Sequence, residues 1–390
     1  MGHQRLGSFD GNRSKCLLVS LPFLVEQSAF DLTTWSVLIA IGSLLFLPSA
    51  PYWGRYSDTQ GPKRVVVQSL IGVVVSFFLL YLCTLLSNDS AQLSACLIGA
   101  VIARIIYGLT ASGMVPACQH WATLICGPEN RLQAITIISV GLSTGRLIGP
   151  LIAVAALKLS PYAALMIMVA LPLLALTIIA LQPLPELDPN KVKTPTTLPW
   201  IPSKNFLPYL TSAIALCIGV ALLQYSFTPL IHSITDWSAS QVSDVIGILL
   251  SIGATCTLTV QLLVVKSHRM TPMKMYRLGA LMFLVGFLLF LAPSIWFYGI
   301  AMAIMAGGAA LIVPAYTSEA TNQQHDAPGT VAGYIAMSHT IGYGLASLLA
   351  YTATMNPHYP VYIGIGSSLL IVGIAERLIK QSTNKPPNCS

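Results

Sequence analysis

The sequence predicts an all-α membrane protein that crosses a bilayer many times, and three observations support this fold class. Of the 390 residues, 55% are apolar and only 8% are charged, whereas a soluble domain carries about 25% charged residues. The apolar residues come in runs long enough for a helix to cross roughly 30 Å of hydrocarbon, which takes about 20 residues. The positive charges fall almost entirely on one side when the chain changes sides at each run.

The sidedness of the positive charges predicts the topology. Seventeen of the 20 Lys and Arg residues lie in the connections and tails of one side: Arg5, Arg13, Lys15, Arg55, Lys63, Arg64, Arg131, Lys191, Lys193, Lys204, Lys266, Arg269, Lys274, Arg277, Arg377, Lys380 and Lys385. The other side holds only Lys158, and Arg104 and Arg146 lie within apolar runs. Cytoplasmic connections carry such an excess, so we expect a multi-pass protein of the cytoplasmic (inner) membrane with both termini in the cytoplasm.

The apolar runs indicate two groups of six crossings. Eleven have full length, near 33–53, 64–86, 91–117, 132–157, 160–181, 206–230, 241–265, 273–293, 295–317, 328–353 and 357–379. A twelfth is implied by the half-length run 16–25, which is either a shortened first helix or the remainder of a helix that starts before this sequence. A hydrophilic, proline-rich segment separates the run 160–181 from the run 206–230. It predicts a division into an N-terminal bundle (1–181), a cytoplasmic linker (182–205) and a C-terminal bundle with a short tail (206–390).

Composition also excludes several function classes. The net charge of +7 does not indicate nucleic-acid binding, because the positive charges lie in short connections without a basic face or a DNA-binding motif. No P-loop, haem motif or metal-ligand cluster is visible, so we expect no enzyme activity, no cofactor and no metal. The expected partners are the lipid bilayer, a small-molecule substrate and protons, and one chain can form a complete transport path.

The connection after the first full-length run carries a glycine and aspartate motif over Gly54–Arg64 (GRYSDTQGPKR). Short connections need glycine because it adopts positive φ freely. The motif resembles the signature of the major facilitator superfamily, G-x3-D-x2-G followed by basic residues, although Thr59 and Pro62 stand where that family prefers basic residues. The resemblance implies two six-helix bundles and a cytoplasmic latch containing Asp58. The alternative is a tight turn with a helix cap.

Two further features of the N-terminal half fit the same resemblance. Arg104 and Gly108 form an R-x3-G pattern inside an apolar run, where a charge is costly unless it is paired or faces water. The resemblance implies a role for Arg104 in handling substrate or protons, and the alternative is an arginine bound to backbone carbonyls. Glu129 and Arg131, in the following connection, resemble a cytoplasmic gate of the family, or form a solvated turn.

The next apolar run contains GLSTGRLIGP, in which Gly141, Gly145 and Gly149 recur every four residues before Pro150. Glycines at this spacing share a helix face and allow close helix packing. The pattern resembles the antiporter signature of the exporting, drug/proton antiporter branch, G-x3-G-x3-G-P, without its closing glycine pair. Arg146 lies about 100° away from the glycine face, where it faces the central path or extends to an interface.

Four polar residues of the C-terminal half complete the candidate site. His339 could carry the coupling proton because histidine titrates near neutral pH, or it is a hydrogen-bonded structural residue. Gln224, Tyr225 and Tyr343 could donate hydrogen bonds to a substrate, or they serve packing alone. None of the 13 Asp and Glu residues lies clearly at mid-membrane, so a cavity with Arg104 and Arg146 should attract anions.

The motif GLSTGRLIGP, together with LPFLVEQ at Leu21–Gln27 and PYWGRYSD at Pro51–Asp58, resembles siderophore exporters of the superfamily, of the alcaligin and legiobactin type. This resemblance implies proton-coupled export of an anionic small molecule. A multidrug or metabolite efflux transporter, an importer of an iron-siderophore, and a non-transporting relative remain alternatives.

Overall fold

The structure is a computed structural model that describes residues 28–87, 91–157, 160, 162–182, 202–265, 270–324 and 327–383. The half-length run 16–25 and nearly all of the expected linker lie outside the described residues. The N-terminal half contains helices α1 (Leu32–Gln60), α2 (Pro62–Leu86), α3 (Leu93–Ala111), α4 (Met114–Cys126), α5 (Arg131–Leu157) and α6 (Ala163–Ala180). The C-terminal half contains α7 (Leu207–His232), α8 (Ala239–Val260), α9 (Pro272–Leu289), α10 (Ile295–Asn322), α11 (Pro328–Leu349), α12 (Thr352–Met355) and α13 (Tyr359–Thr383).

The all-α polytopic prediction is confirmed. The described ranges contain no strand, and nine helices within them are long and apolar enough to cross a membrane. Each of the eleven predicted full-length runs coincides with helix, and the run expected over 91–117 continues to Cys126 as a span of 34 residues. The segment Leu165–Ala180 is apolar but shorter than the nine.

Local chemistry explains where the helices begin and end. The Asp31 carboxylate accepts a hydrogen bond of 2.8 Å from the Thr34 backbone N–H and so caps the start of α1. Gly61, with a φ of 88°, ends α1, and Pro62 opens α2 immediately after it. The connection between these two long helices is therefore a single residue, which brings the end of α1 beside the start of α2.

Packing divides the described chain into two units. The first contains the described residues from 28 to 182 together with those of Gln324–Met337, and the second contains those of Pro202–Gln323 and Ser338–Ser390. Helix α11 therefore contributes its first residues to the first unit and its remainder to the second. The three-part division expected from the sequence stays a prediction.

Each unit has its own core. In the first, Trp35, Phe77 and Tyr107 are buried together where α1, α2 and α3 pack against each other. In the second, α9 and α10 pack closely because both present glycine. A Cβ on Gly279 would lie 2.8 Å from the carbonyl oxygen of Gly308, so side chains larger than hydrogen are excluded there.

Candidate functional site

Arg104 lies in the interior of the first unit, where α3 packs against α1. Its side chain is buried, with only 3% of the residue exposed. The Nε–H donates a hydrogen bond of 3.1 Å to the carbonyl oxygen of Leu38, and the guanidinium carbon lies 4.6 Å from the centre of the Tyr107 ring. One carbonyl and one aromatic face therefore hold the charge in place.

The guanidinium of Arg104 is only partly satisfied. Its Nη1 is buried and has no hydrogen-bond partner among the described residues, and no described carboxylate forms an ion pair with it. An arginine has five N–H donors and keeps its charge, so this burial carries a large desolvation cost. The described residues therefore leave part of its hydrogen-bonding capacity unused.

A glycine on the neighbouring helix makes room for this arginine, and sequence reasoning missed it. A Cβ on Gly42 would lie 2.8 Å from Nη2 of Arg104. A Cβ on Gly108 would in turn lie 2.6 Å from the carbonyl oxygen of Gly42, so the two helices pass at a distance that only glycine allows. Gly108 belongs to the R-x3-G pattern, but nothing in the sequence linked it to Gly42.

The arginine and glycines of α5 are described only in part. Gly141, Gly145 and Gly149 are buried, which is compatible with the helix packing expected for them. Arg146 and Pro150 lie within α5, but their side chains are outside the described residues. A joint action of Arg146 and Arg104 on one ligand therefore stays a prediction.

The Asp58 carboxylate binds the first residues of α11. One oxygen accepts a hydrogen bond of 2.7 Å from the Gly329 backbone N–H. The other oxygen accepts bonds of 2.7 Å from the Thr330 backbone N–H and 2.6 Å from the Thr330 hydroxyl. A carboxylate at a helix N-terminus also interacts favourably with the helix dipole. Asp58 is thus a buried acceptor, and both of its oxygens are hydrogen bonded.

Glycine and arginine residues support this contact between α1 and α11. A Cβ on Gly54 would collide with the carbonyl oxygen of Gly329, and a Cβ on Gly333 would lie 2.6 Å from the carbonyl oxygen of Ala50. The Arg55 guanidinium donates a 3.1 Å hydrogen bond to the Tyr334 hydroxyl. The expectation that Gly54 serves a turn is wrong: residues 54–60 are helical, and Gly54 is needed because another helix approaches it.

His120 is a neighbour of Asp58 that the sequence did not reveal. Its Nδ1 lies 2.8 Å from the Ser57 hydroxyl oxygen and 3.6 Å from an Asp58 oxygen, and both ring and carboxylate are buried. The expected alternative for Asp58, a capped tight turn, describes only half of the arrangement. Asp58 does cap a helix, but that helix is α11 rather than the adjacent α2.

Glu129 and Arg131 occupy the connection between α4 and α5. Glu129 is exposed in a short 3-10 turn, Pro128–Asn130. Arg131 begins α5 and is buried. The two residues therefore differ in environment, and their expected joint role in a cytoplasmic gate stays a prediction.

The candidate residues of the second unit also differ in burial and in hydrogen bonding. The Nε2 of His339 on α11 is hydrogen bonded to the Tyr316 hydroxyl on α10. Gln224 is exposed on α7, as is Tyr225, with 55% of its surface accessible, and Tyr343 on α11 is 41% exposed. His339 is thus half-buried and bonded to a neighbouring helix, whereas the other three side chains are exposed.

The sequence and fold resemble those of known transporters. Residues 8–347 match the Major Facilitator Superfamily. Over 155 residues the chain is 27% identical to the staphyloferrin B transporter of Staphylococcus aureus (strain NCTC 8325 / PS 47). That match covers 40% of this chain and 34% of the relative, so the chain aligns with only about a third of that relative's length.

Two solved structures show the fold at low sequence identity. The proton:xylose symporter XylE bound to 6-bromo-6-deoxy-D-glucose has a TM-score of 0.74 at 11% identity, covering 97% of this chain and 94% of that chain. A bacterial homologue of the iron transporter ferroportin in an outward-facing state has a TM-score of 0.70 at 14% identity, covering 98% of both chains. With a family match over most of its length and a shared fold, this chain belongs to the Major Facilitator Superfamily.

Proposed function

We propose that this chain is a secondary active transporter that exports an anionic small molecule, such as a siderophore, across the cytoplasmic membrane in exchange for protons. Membership of the superfamily supports transport of a small molecule through a multi-pass membrane protein. The antiporter-like glycines of α5 favour export, as in the drug/proton antiporter branch. The proposal includes cytoplasmic N- and C-termini, supported by the sidedness of Lys and Arg, and a single chain as the working unit.

The environment of Arg104 is the observation that best supports an anionic substrate. The guanidinium is buried, donates one hydrogen bond to a carbonyl and lies over one aromatic ring. Its Nη1 has no hydrogen-bond partner among the described residues. A charge that is buried without a carboxylate is costly unless something else compensates it. A substrate carboxylate or hydroxamate would supply the missing acceptor, because such oxygens match the planar fork of arginine.

Other residues would complete the binding site. Arg146 is proposed as the second cation that faces the substrate. Gln224, Tyr225 and Tyr343 are proposed as hydrogen-bond donors and acceptors on exposed helix faces. Polar side chains of this kind fix the orientation of a ligand in a largely apolar site.

The partial likeness to a staphyloferrin B transporter supports the siderophore class. That relative is named for a siderophore, and we extend the substrate class to this chain as a proposal. A general efflux transporter would fit the same glycine pattern of α5, but a buried arginine without an acidic neighbour disfavours organic cations.

We assign gating to the cytoplasmic ends of the helices. Asp58 would release and rebind the start of α11 during the transport cycle, and Glu129 with Arg131 would contribute to the same gate. Breaking the Asp58 contact would expose two backbone N–H groups and one hydroxyl. Water or other groups must then satisfy these donors.

A flux experiment with inside-out vesicles tests this function. Vesicles that contain the wild-type chain should accumulate staphyloferrin B when their lumen is acidic. Excess anionic siderophore should compete with this uptake, and organic cations should not. Arg104→Lys should reduce uptake at least about tenfold, since the lysine ammonium cannot replace a bidentate fork. Arg277→Lys is the control, because Arg277 is exposed and paired with Glu376.

The orientation of the vesicles decides between export and import. Accumulation in right-side-out vesicles that have an acidic exterior would identify an importer and contradict the proposed direction. Uptake that organic cations inhibit as well as anions do would contradict the proposed substrate class. Full activity of Arg104→Lys would remove Arg104 from the substrate site.

A further inference from the structure

The second unit contains a set of polar side chains inside otherwise apolar helices. They lie on α7, α9, α10 and α11 or at the end of α10, and hydrogen bonds and ring contacts join them in two groups. We call this set the polar chain: Tyr209, Ser212, Tyr276, Tyr316, Glu319, Gln323 and His339. The substrate site and gate proposed above use none of these residues, and the sequence singled out only His339 among them, as a possible proton carrier.

One end of the polar chain is built around Tyr316. Its hydroxyl is hydrogen bonded to Nε2 of His339, and its ring meets the Tyr276 ring edge to face with the ring centres 6.4 Å apart. The Tyr276 hydroxyl lies 2.5 Å from the Ser212 hydroxyl oxygen. A histidine is thereby joined to two buried tyrosines and a buried serine.

The other end of the polar chain is built around Glu319. The Gln323 amide donates a hydrogen bond of 2.9 Å to the Tyr209 hydroxyl, and Glu319 precedes Gln323 by about one helical turn. Glu319 also follows Tyr316 by three residues on α10, so the two side chains are neighbours on one helix face. The acid therefore lies beside the tyrosine that bonds His339.

Helical spacing aligns these groups along α10. Tyr316, Glu319 and Gln323 follow each other at intervals of three and four residues, so they share one face of the helix. Tyr209 and Ser212 share a face of α7 in the same way. The aligned groups extend from His339 to the end of α10, which the positive-charge distribution predicts to be cytoplasmic.

Burying these polar side chains costs desolvation free energy, so their presence in the interior points to a function. Tyr209, Tyr276 and Tyr316 are buried, and Glu319 is half-buried near the end of α10. Glu319 forms no ion pair with a described Lys or Arg. Arg277, the arginine or lysine closest to Glu319 along the chain, pairs instead with Glu376 at 2.5 Å.

The chemistry of these side chains suits proton movement. A tyrosine hydroxyl donates and accepts a hydrogen bond, and histidine has two ring nitrogens that exchange protons. Glutamate binds one proton when neutral and releases one when ionised. A chain of this composition can take up one proton at the histidine and give up one proton at the carboxylate, so that all side chains end the cycle unchanged.

We propose that His339 and Glu319 carry the coupling proton of this transporter and that Tyr316 positions His339 for the transfer. The proton binds the His339 ring from the transport passage, moves to the Glu319 carboxylate, and leaves from there to the cytoplasm as the substrate moves out. This inference rests on the proposed proton-coupled export and names its carriers. Glu319 and Tyr316 are the members that the sequence did not single out.

Two flux measurements with staphyloferrin B in vesicles separate coupling from binding. The first measures uptake driven by an imposed pH gradient. The second measures exchange of labelled for unlabelled staphyloferrin B without a gradient, which requires binding and movement but no net proton transfer. Glu319→Gln and His339→Gln should lower the driven uptake at least tenfold and change the exchange by less than twofold.

Matched variants distinguish a proton carrier from a structural residue. Glu319→Asp, which keeps a carboxyl group, should recover much of the driven uptake, and Glu376→Gln should leave it unchanged. Tyr316→Phe removes a hydroxyl that bonds His339 and should shift the pH profile of driven uptake. Tyr298→Phe is its control on the same helix, because the buried Tyr298 hydroxyl has no hydrogen-bond partner among the described residues.

The outcomes separate this inference from the proposed function. Driven uptake at the wild-type level in both Glu319→Gln and His339→Gln would overturn the proton path but leave the proposed export function intact. If the wild-type protein exchanges staphyloferrin B but shows no uptake driven by a pH gradient, both the proton path and the proposed proton-coupled export are wrong. Equal loss of exchange and driven uptake in Glu319→Gln would assign Glu319 to binding or folding and would also overturn the path.

Discussion

Asp58 and Arg104 are both buried charges of the first unit, and their surroundings are opposite. Asp58 accepts three hydrogen bonds from the start of α11 and lies close to His120. Arg104 makes one hydrogen bond and one ring contact, and its Nη1 has no partner among the described residues. Both oxygens of the first charge are hydrogen bonded within the protein, whereas the second keeps one nitrogen donor without a partner among the described residues.

The comparison separates two kinds of functional charge. A satisfied carboxylate at a helix start stabilises one arrangement of the helices, so its loss should mainly affect stability and gating. An unsatisfied guanidinium costs stability, so its retention points to function. Variants at or near each charge should therefore differ in what they change as well as in how much.

Replacing Asp58 with alanine should have the largest effect. The variant leaves the N–H groups of Gly329 and Thr330 and the Thr330 hydroxyl without their acceptor, and each unmet buried donor costs about 1–3 kcal/mol. We expect a clear fall in the apparent melting temperature of the detergent-solubilised protein, together with loss of transport. Asp244→Ala is the control, because Asp244 is exposed on α8. Equal melting temperatures for the two variants would contradict this account of Asp58.

Replacing Gly42 with alanine should have an intermediate effect that acts through Arg104. The new Cβ would lie 2.8 Å from Nη2 of Arg104, so the guanidinium must move. We expect weaker staphyloferrin B transport, by roughly three- to tenfold, at near-normal stability, since a flexible side-chain end can shift and alanine favours helix. The control is Gly247→Ala, which meets no atom within 4 Å. Identical flux in the two variants would show that the position of Arg104 does not matter.

Replacing Thr330 with valine should have the smallest effect. It removes the 2.6 Å hydroxyl bond to Asp58 but keeps both backbone donors. The loss should be about 1 kcal/mol of stability, as for a typical hydrogen bond, measured as a small shift in melting temperature. Thr59→Val is the matched control, because the exposed Thr59 hydroxyl bonds only carbonyls of its own helix turn. A loss as large as that of Asp58→Ala would mean that the hydroxyl dominates the contact.

Much of the fold could be predicted from the sequence because the bilayer imposes simple rules. Helix length, apolar composition and the sidedness of Lys and Arg placed all eleven full-length runs on helix, since a lipid-exposed backbone must satisfy its hydrogen bonds internally. The run expected near 91–117 continues to Cys126 in the structure, past the polar residues Gln119 and His120. In the structure His120 is buried and bonded to Ser57.

The contacts of the candidate site were harder to predict because they join distant parts of the chain. The spacing within Gly54–Arg64 predicted a role for Asp58, but its partner Gly329 lies 271 residues away. Gly42 beside Arg104, and Gln323 bonded to Tyr209, carry no local pattern at all. Such pairings depend on how helices approach each other, which periodicity within one helix does not encode.

The most direct test of the account is equilibrium binding of staphyloferrin B to purified protein. Arg104→Gln, compared with wild type and with Arg277→Gln, should bind at least about tenfold more weakly, since a charge-assisted hydrogen bond contributes roughly 1.5–3 kcal/mol. Its melting temperature should equal or exceed that of the wild type, because an unpaired buried charge has been removed. Unchanged affinity together with a lower melting temperature would show that Arg104 is structural and would contradict the anionic substrate.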